Sequence, residues 1–187
     1  MNELNQVVSL PGNDSITFVI GENGLDLAKK NNIPFPIIKV GNWIGPLLVH
    51  AAVKKVQKIL LLGYYGKLIK LAGGIFHTHN HLADARIEIL VYLAVKEKIP
   101  LKIINSIINS QTIDDAIKII EGFDIEVAKN LIFEISNQVE IRSTEYIHKY
   151  ISSDMKVGVV LFDRERNIRS ISHNSQKMFS KFFTFKS

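Results

Sequence analysis

The fold is decided by residues 58–89, KILLLGYYGKLIKLAGGIFHTHNHLADARIEI. The stretch opens with a short apolar run, Lys58 to Leu62, and a long helical pattern follows its polar middle. The polar residues therefore lie where a strand ends and a helix begins. In an open α/β sheet, ligands bind at this carboxyl edge, because its loops carry side chains and helix N-termini direct their N–H groups inward. The stretch thus predicts both an α/β fold and the place of its site.

The composition is that of a globular chain. Of the 187 residues, 47% are hydrophobic and 22% are charged, which are usual proportions for globular domains. No apolar run approaches the ~20 residues of a membrane-spanning helix, so we expect no membrane partner. The first ten residues lack the basic start and apolar stretch of a signal peptide, and no cysteine is present to form disulfides. We therefore expect a cytoplasmic protein.

The net charge of +5 comes mostly from lysines that are spread along the chain. This distribution suits acidic small molecules, but it does not form the clustered basic surface that is typical of a nucleic-acid site. We therefore expect a small-molecule ligand and no nucleic-acid partner.

Strand and helix patterns alternate along residues 1–172, which we expect to form one domain. Runs rich in β-branched and aromatic residues predict strands at Ser15 to Ile20, Phe35 to Val40, Lys58 to Leu62, Val157 to Phe162 and Ile168 to Ile171. Helical spacing predicts helices at Gly24 to Lys30, Trp43 to Val56, Leu82 to Lys98, Leu101 to Asn109, Ile113 to Glu121 and Phe123 to Tyr150. We predict a Rossmann-like three-layer α/β domain, with about four strands in a mostly parallel sheet and an antiparallel edge strand. Residues 173–187 have no period and are expected to be a terminal extension.

Glycine-containing turns are expected after the first three strands. They are Gly21-x-x-Gly24, Gly41-Asn42 and Gly63-x-x-Gly66. Glycine lets the backbone come close to whatever occupies the sheet edge. None of the three completes a dinucleotide fingerprint or a P-loop. Asn42 is also a candidate N-cap for the helix that follows it.

Three histidines, His77, His79 and His81, are two residues apart. In an extended segment their rings project from one face, an arrangement that can chelate a transition metal. Alternatively, the imidazoles donate hydrogen bonds to an acidic or polar ligand, or accept protons near pH 7. A third interpretation is that they hydrogen-bond the adjoining backbone. The residues alone leave all three open.

Charged residues surround this histidine segment. On a helix, Asp84 and Glu88 would share a face and repel each other unless a cation, such as Lys67, Lys70 or a ligand group, lay opposite them. Without such a cation, they would form a solvated helix face together with Arg86. The two lysines are three residues apart on a short helix, where they make a compact positive pair that could hold substrate carboxylates.

Residues 66–86, GKLIKLAGGIFHTHNHLADAR, resemble the central signature of the CbiD family, the cobalt-precorrin-5B (C1)-methyltransferases of anaerobic cobalamin biosynthesis. The similarity extends to the turn from Gly41 to Gly45 and to VGVVLFD at 157–163. At His81 the family more often has another basic residue, which weakens a three-histidine metal site. Family members also have a further N-terminal domain of comparable size, and this chain begins near their PGN segment, residues 11–13 here. It therefore resembles the C-terminal half, with the N-terminal domain as an expected partner and a homo-oligomer left open.

The resemblance implies methyl transfer from S-adenosylmethionine to C1 of a cobalt-bearing, carboxylate-rich tetrapyrrole. By the sheet-edge argument, we assign the S-adenosylmethionine contacts to Gly21, Gly24, Gly41, Asn42 and Gly63. We expect the substrate contacts at Lys67, Lys70, Thr78 and Arg86. Proton handling or ring orientation is expected of His77, His79 and Asp84. The alternative function is a non-catalytic tetrapyrrole- or metal-binding module that uses His77, His79 and His81.

Overall fold

The computed structural model describes residues 2–10, 12, 14–33, 35–79 and 81–179. The described strands form one sheet in the order β2-β1-β3-β4-β5. They are β1 Ser15–Ile20, β2 Ile37–Val40, β3 Lys58–Tyr64, β4 Lys156–Phe162 and β5 Ile168–Ile171. The strands β1 to β4 are parallel, and β5 pairs antiparallel with β4. The predicted fold class is therefore confirmed.

Helices cover both faces of the sheet. They are α1 Asn2–Val8, α2 Glu22–Lys30, α3 Ile44–Val53, α4 Tyr65–Ala72, α5 Arg86–Lys96, α6 Leu101–Ile107, α7 Ile113–Phe123, α8 Ile125–His148 and α9 His173–Phe179. The larger apolar core lies between one face of the sheet and the helices α1 and α3 to α8. The smaller core contains residues of α2 and lies on the opposite face. Within the described part of the chain, no helix is both long enough and apolar enough to span a membrane.

The central strand β3 shows how the sheet is buried on both faces. Ile59 and Leu61 point into the larger core, whereas Leu60 and Leu62 point into the smaller one. All four side chains are fully buried. Side chains alternate along a strand, so a strand that is covered on both faces reads as a continuous apolar run. This is why the KILLL run identifies the centre of the sheet.

The long predicted helix near the end of the chain begins later than its pattern suggested. We predicted a start at Phe123, but this residue ends α7, and α8 begins at Ile125. Asp124 separates the two helices, because its carboxylate accepts hydrogen bonds from the backbone N–H groups of Glu126 at 2.8 Å and Val127 at 3.1 Å. A side chain that caps a helix in this way fixes where the helix starts.

Next to the site, one predicted helix start and one predicted N-cap are wrong. The helix expected from Leu82 begins only at Arg86, so Asp84 lies in the loop before α5. The helix expected from Trp43 begins at Ile44, and Asn42 is not its N-cap. The side chain of Asn42 instead accepts a hydrogen bond from the Thr78 hydroxyl at 3.0 Å.

The sequence patterns gave no helix for α1 or α9. Both helices have seven residues, and helices this short depend on packing more than on their own pattern. α9 packs against β4, within the segment that we expected to be an extension. Residues 180–187 of that segment lie outside the described residues, as do Pro11 and Asn13 of the PGN segment. The division at residue 172 stays a prediction.

The turn expected at Gly63 is also wrong, because Gly63 lies inside β3. A Cβ atom on Gly63 would lie 2.8 Å from Leu68 Cδ1 and 3.3 Å from Ile20 Cβ. Close packing between the strand and α4 therefore explains the glycine at this position.

Substitution Gly63→Ala should lower the free energy of unfolding by about 1–3 kcal/mol, the usual cost of an overpacked core. The matched control is Gly122→Ala on α7, where an added Cβ meets nothing within 4 Å. This control should raise stability by about 0.5–1 kcal/mol, because alanine favours a helix over glycine. Urea denaturation measures both changes. A Gly63→Ala variant as stable as the wild type would contradict the packing explanation.

Candidate functional site

The carboxyl ends of the parallel strands bring several predicted residues to one edge. The chain leaves β1 at Gly21, β2 at Gly41 and Asn42, and β3 at Tyr64. The strand order reverses between β1 and β3, since β2 lies on one side of β1 and all later strands lie on the other. Ligands of open α/β sheets bind in the crevice at such a switch point. The structure therefore offers a site where the sequence predicted one.

A cavity of about 380 Å³ lies at this edge. Its lining residues are Asn42, Tyr64, Gly66, Lys67, Thr78, His79, His81 and Arg86. Five of these residues, Asn42, Lys67, Thr78, His79 and Arg86, are sequence-predicted site residues. Among the described residues, no carboxylate lines this cavity, so its charged groups are cationic.

The loop that carries the histidines is attached to the end of β2. Thr78 N–H donates to the Asn42 carbonyl at 3.0 Å, and the Thr78 hydroxyl donates to the Asn42 side chain at 3.0 Å. The neighbouring residues Trp43, which follows Asn42, and His77, which precedes Thr78, form an isolated β-bridge. Their rings meet edge to face, with centroids 4.5 Å apart. This short ladder brings the loop over the sheet edge.

The histidines bond to their own loop, as in the third interpretation. The Nδ1 atom of His77 accepts from the N–H of His79 at 3.4 Å, and Nδ1 of His79 accepts from the N–H of His81 at 3.3 Å. The rings of His79 and His81 stack at 5.0 Å. With Nδ1 accepting, a neutral ring carries its proton on Nε2, the nitrogen that is left for a ligand.

The metal-binding alternative finds no support in this geometry. Across the described ranges, no group of three His, Cys, Asp or Glu side chains is arranged to hold a metal ion. His77 and His79 also use Nδ1 within the loop, which leaves each ring only one nitrogen for coordination.

Lys70 does not contact the cavity. Its side chain is fully buried, and its ammonium group donates to the carbonyl oxygens of Thr78 at 3.2 Å and Ala83 at 2.7 Å. Burial lowers the pKa of Lys70, while the nearby Asp84 carboxylate raises it. The ammonium group of Lys70 therefore bonds the backbone of the histidine loop inside the protein. Its predicted contact with substrate carboxylates has no support.

Lys67, in contrast, lines the cavity. It is half-buried, and burial lowers the pKa of its ammonium group. In the part of the chain that the structure describes, the ammonium group of Lys67 makes neither a hydrogen bond nor an ion pair. A partly desolvated cation without a partner would gain from an anionic ligand.

Arg86 lies between two cavities and is held by Asp84. Its Nε and Nη2 atoms donate to the two carboxylate oxygens of Asp84 at 2.6 and 2.7 Å. Both residues also line a second cavity of about 400 Å³, whose apolar wall includes Ile87, Val91 and Ile108. The cation that Asp84 needed is therefore Arg86, and neither Lys67 nor Lys70 forms this ion pair.

The glycines proposed to contact the cofactor fall into two groups. Gly21 has a φ of +80°, and an added Cβ would meet nothing within 4 Å there or at Gly41. At Gly24, a Cβ would lie 3.2 Å from the Leu62 carbonyl oxygen, and Gly63 is covered by Leu68. Of the four glycines, only Gly21 and Gly41 leave open space over the backbone for a ligand, and Asn42 lines the cavity.

The sequence matches one family model and a group of curated proteins. The model, described as CbiD, C-terminal domain, matches residues 77–173, just over half of the chain. The chain belongs to the CbiD family. The resemblance seen in the sequence is thereby confirmed, and the matched range includes His77, Thr78, His79, Asp84 and Arg86.

The curated relatives are longer than this CbiD-family chain. A cobalt-precorrin-5B C(1)-methyltransferase of Prochlorococcus marinus subsp. pastoris strain MED4 is 58% identical over 98% of the chain and 49% of its own length. Proteins of the same name from strains MIT 9515 and MIT 9312 are 55% and 54% identical, over 98% and 89% of the chain and 49% and 45% of theirs. The chain thus spans about half the length of the curated relatives it matches. No solved structure matches it.

Sequence reasoning missed a polar cluster beside the cavity of this CbiD-family chain. The Asp114 carboxylate accepts hydrogen bonds from the hydroxyls of Tyr64 and of Tyr65, the latter at 2.9 Å, and pairs with Arg164 Nε at 2.9 Å. Burial and the bond to Asp114 raise the pKa of Tyr64 to about 12, so its hydroxyl stays protonated at neutral pH. The only signal for this cluster was a pair of tyrosines at the end of a strand.

The ion pair between Asp84 and Arg86 predicts a dependence of stability on pH. The Arg86 guanidinium holds the pKa of Asp84 below its usual value. The pair therefore contributes stability above the unfolded-state pKa of about 4, and this contribution is lost as the pH falls through the lower folded-state value.

Substitution Asp84→Asn should therefore destabilise the chain at pH 6, and the difference from the wild type should shrink as the pH falls below about 4. Urea unfolding at several pH values measures this difference. The control is the same substitution in an Arg86→Gln background, where the difference should vary less with pH, because Lys70 still lowers the pKa of Asp84. If the free energies of unfolding of the wild type and of Asp84→Asn differ by the same amount at every pH, the assigned ion pair is wrong.

Proposed function

We propose that this chain is the C-terminal half of an S-adenosylmethionine-dependent methyltransferase that methylates C1 of cobalt-precorrin-5B in cobalamin biosynthesis. The names of the curated relatives support this function, and their greater length supports an N-terminal half as the partner. The observation that carries the proposal is the cationic cavity at the sheet edge, where Lys67 is half-buried and has no partner among the described residues. The substrate is rich in carboxylates, so this cavity suits it.

Methyl transfer of this kind needs no nucleophilic side chain. When bound, S-adenosylmethionine supplies a methyl group, which passes from its sulfonium sulfur to the attacking ring carbon and leaves S-adenosylhomocysteine. The protein has to align the two partners, and good alignment can contribute roughly 7–11 kcal/mol to lowering the barrier. The rigid sheet edge and the attached histidine loop are suited to this task.

Lys67, Arg86 and Thr78 are the proposed contacts to the tetrapyrrole. Charge-assisted hydrogen bonds to carboxylates contribute about 1.5–3 kcal/mol each when they are sheltered from water. Arg86 is already oriented by Asp84, which acts here as a positioning group and not as a proton carrier. The second cavity on the far side of Arg86 offers an apolar wall for the ring system.

The histidines have different proposed roles. His79 lines the cavity, and its Nε2–H group is left to donate a hydrogen bond to the ligand. His77 packs against Trp43 and accepts from the N–H of His79, so we assign it to orienting the loop.

Of the five residues that the sequence assigned to the cofactor, we propose Gly21, Gly41 and Asn42 as its contacts. The open space at Gly21 and Gly41 fits the close approach of a ligand to the backbone. Gly24 and Gly63 instead permit close packing inside the protein. The proposed cofactor position is therefore at the carboxyl ends of β1 and β2.

Calorimetric titration with S-adenosylhomocysteine tests the cofactor position. We expect saturable binding, and we expect Gly41→Ala to weaken it at least about tenfold, which is 1.4 kcal/mol. The added methyl group would project into the space assigned to the ligand, while the melting temperature should stay unchanged. Gly122→Ala, which also adds a Cβ in open space, is the control and should bind like the wild type. Equal affinity of both variants would exclude Gly41 from the cofactor site.

Binding of uroporphyrin, a stable carboxylate-rich tetrapyrrole, tests the substrate cavity. Lys67→Ala should weaken binding by about 10- to 150-fold, corresponding to the loss of one charge-assisted bond. Lys102→Ala removes an exposed lysine on α6 and serves as the charge-matched control. Fluorescence titration at two salt concentrations measures the affinities, and salt should weaken wild-type binding. If Lys67→Ala and Lys102→Ala bind equally well, the carboxylate assignment is wrong.

A further inference from the structure

Lys70 is a fully buried lysine that lies under the loop carrying the histidines. It lies in the last turn of α4 and is 0% exposed. Taking an ammonium group out of water is unfavourable unless its protons are hydrogen-bonded. An apolar side chain of similar length would fill the same space without that cost. The presence of lysine at this position therefore indicates a role for its hydrogen bonds.

The bonds of Lys70 join two separate points of one loop. Its Nζ atom donates to the carbonyl oxygen of Thr78 at 3.2 Å and to that of Ala83 at 2.7 Å. His79 and His81, which both line the cavity, lie between these two points. A single ammonium group thus connects the beginning and the end of the segment that presents the imidazoles.

We propose that Lys70 is a positioning residue: by bonding both Thr78 and Ala83, it holds His79 and His81 at the cavity. The consequence for ligand affinity rests on the proposed function. The two bonds are a property of the free chain and do not depend on that function.

The other attachments of the loop indicate which part Lys70 controls. Thr78 is also held by Asn42, through its backbone N–H and its hydroxyl, each at 3.0 Å. Loss of the ammonium group should therefore release the Ala83 end of the loop more than the Thr78 end. His81 should become mobile, while Thr78 should stay ordered.

Substitution Lys70→Met tests this inference, because methionine keeps an unbranched side chain and removes every donor. Backbone order parameters from ¹⁵N relaxation should fall from about 0.85 to below about 0.6 at His81 and Leu82, and should stay high at Thr78. Amide hydrogen exchange in β3 and β4 reports whether the core remains folded. The control is Ile104→Val, a mild change in the core on α6, which packs against α5 and α7. It should leave the loop unchanged.

The same variants are then titrated with uroporphyrin. If the loop holds its binding conformation for only about 10–30% of the time, the affinity falls by roughly three- to tenfold. Ile104→Val should bind like the wild type. If the wild type does not bind uroporphyrin, the proposed function fails on that ligand, while the relaxation data still decide the role of Lys70.

High order parameters at His81 and Leu82 in a folded Lys70→Met chain would overturn the inference. If that variant does not fold, the same measurement is made on Lys70→Leu, which also removes every donor, so the same two outcomes apply.

Discussion

The register of β3 between β1 and β4 is the constraint on which the site depends. Gly63 pairs with Ile20 on one side and with Leu161 on the other, so the three strands end at nearly the same level. The residues that follow them must then meet at one edge of the sheet. Because both faces of β3 are buried, this edge is also where the polar groups of the strand ends can reach a ligand. The pairing of β3 with β1 and β4 thus determines both the packing of the core and the place of the site.

The sheet was predictable, because its signal is local. The bounds of β1 and β5 agree with the prediction, and the apolar run of β3 marked the centre of the sheet. The ends of helices were less predictable where a single side chain decides them. Asp124 separates α7 from α8 by capping the second helix, whereas the apolar spacing continues through that boundary. The helices α1 and α9 were not predicted; packing provides most of the stability of such short helices, and α9 packs against β4.

The position of the site was predictable, but the roles of its residues were not. Lys67 and Lys70 are three residues apart, and successive helix positions of this spacing differ by about 60° in direction. The sequence gives the two lysines similar directions, but the histidine loop covers Lys70 and leaves Lys67 at the cavity. The bond between Tyr64 and Asp114 joins residues 50 positions apart, a contact that no local spacing encodes. Roles of this kind depend on which loop covers which side chain.

Among the described residues, the charges around the cavity comprise two ion pairs and one lysine, Lys67, without a partner. At the end of β4, Arg164 is paired with Asp114, and Arg86 is paired with Asp84, so both guanidinium groups are already oriented. Lys67 has no such partner within the described residues, although burial makes its charge costly. An anion that enters the cavity would therefore gain most at Lys67, where no internal bond has to be broken. Arg86 would contribute direction, because a ligand carboxylate can bind it only in the geometry that Asp84 imposes. An anionic ligand would thus be attracted by one cation and aligned by another.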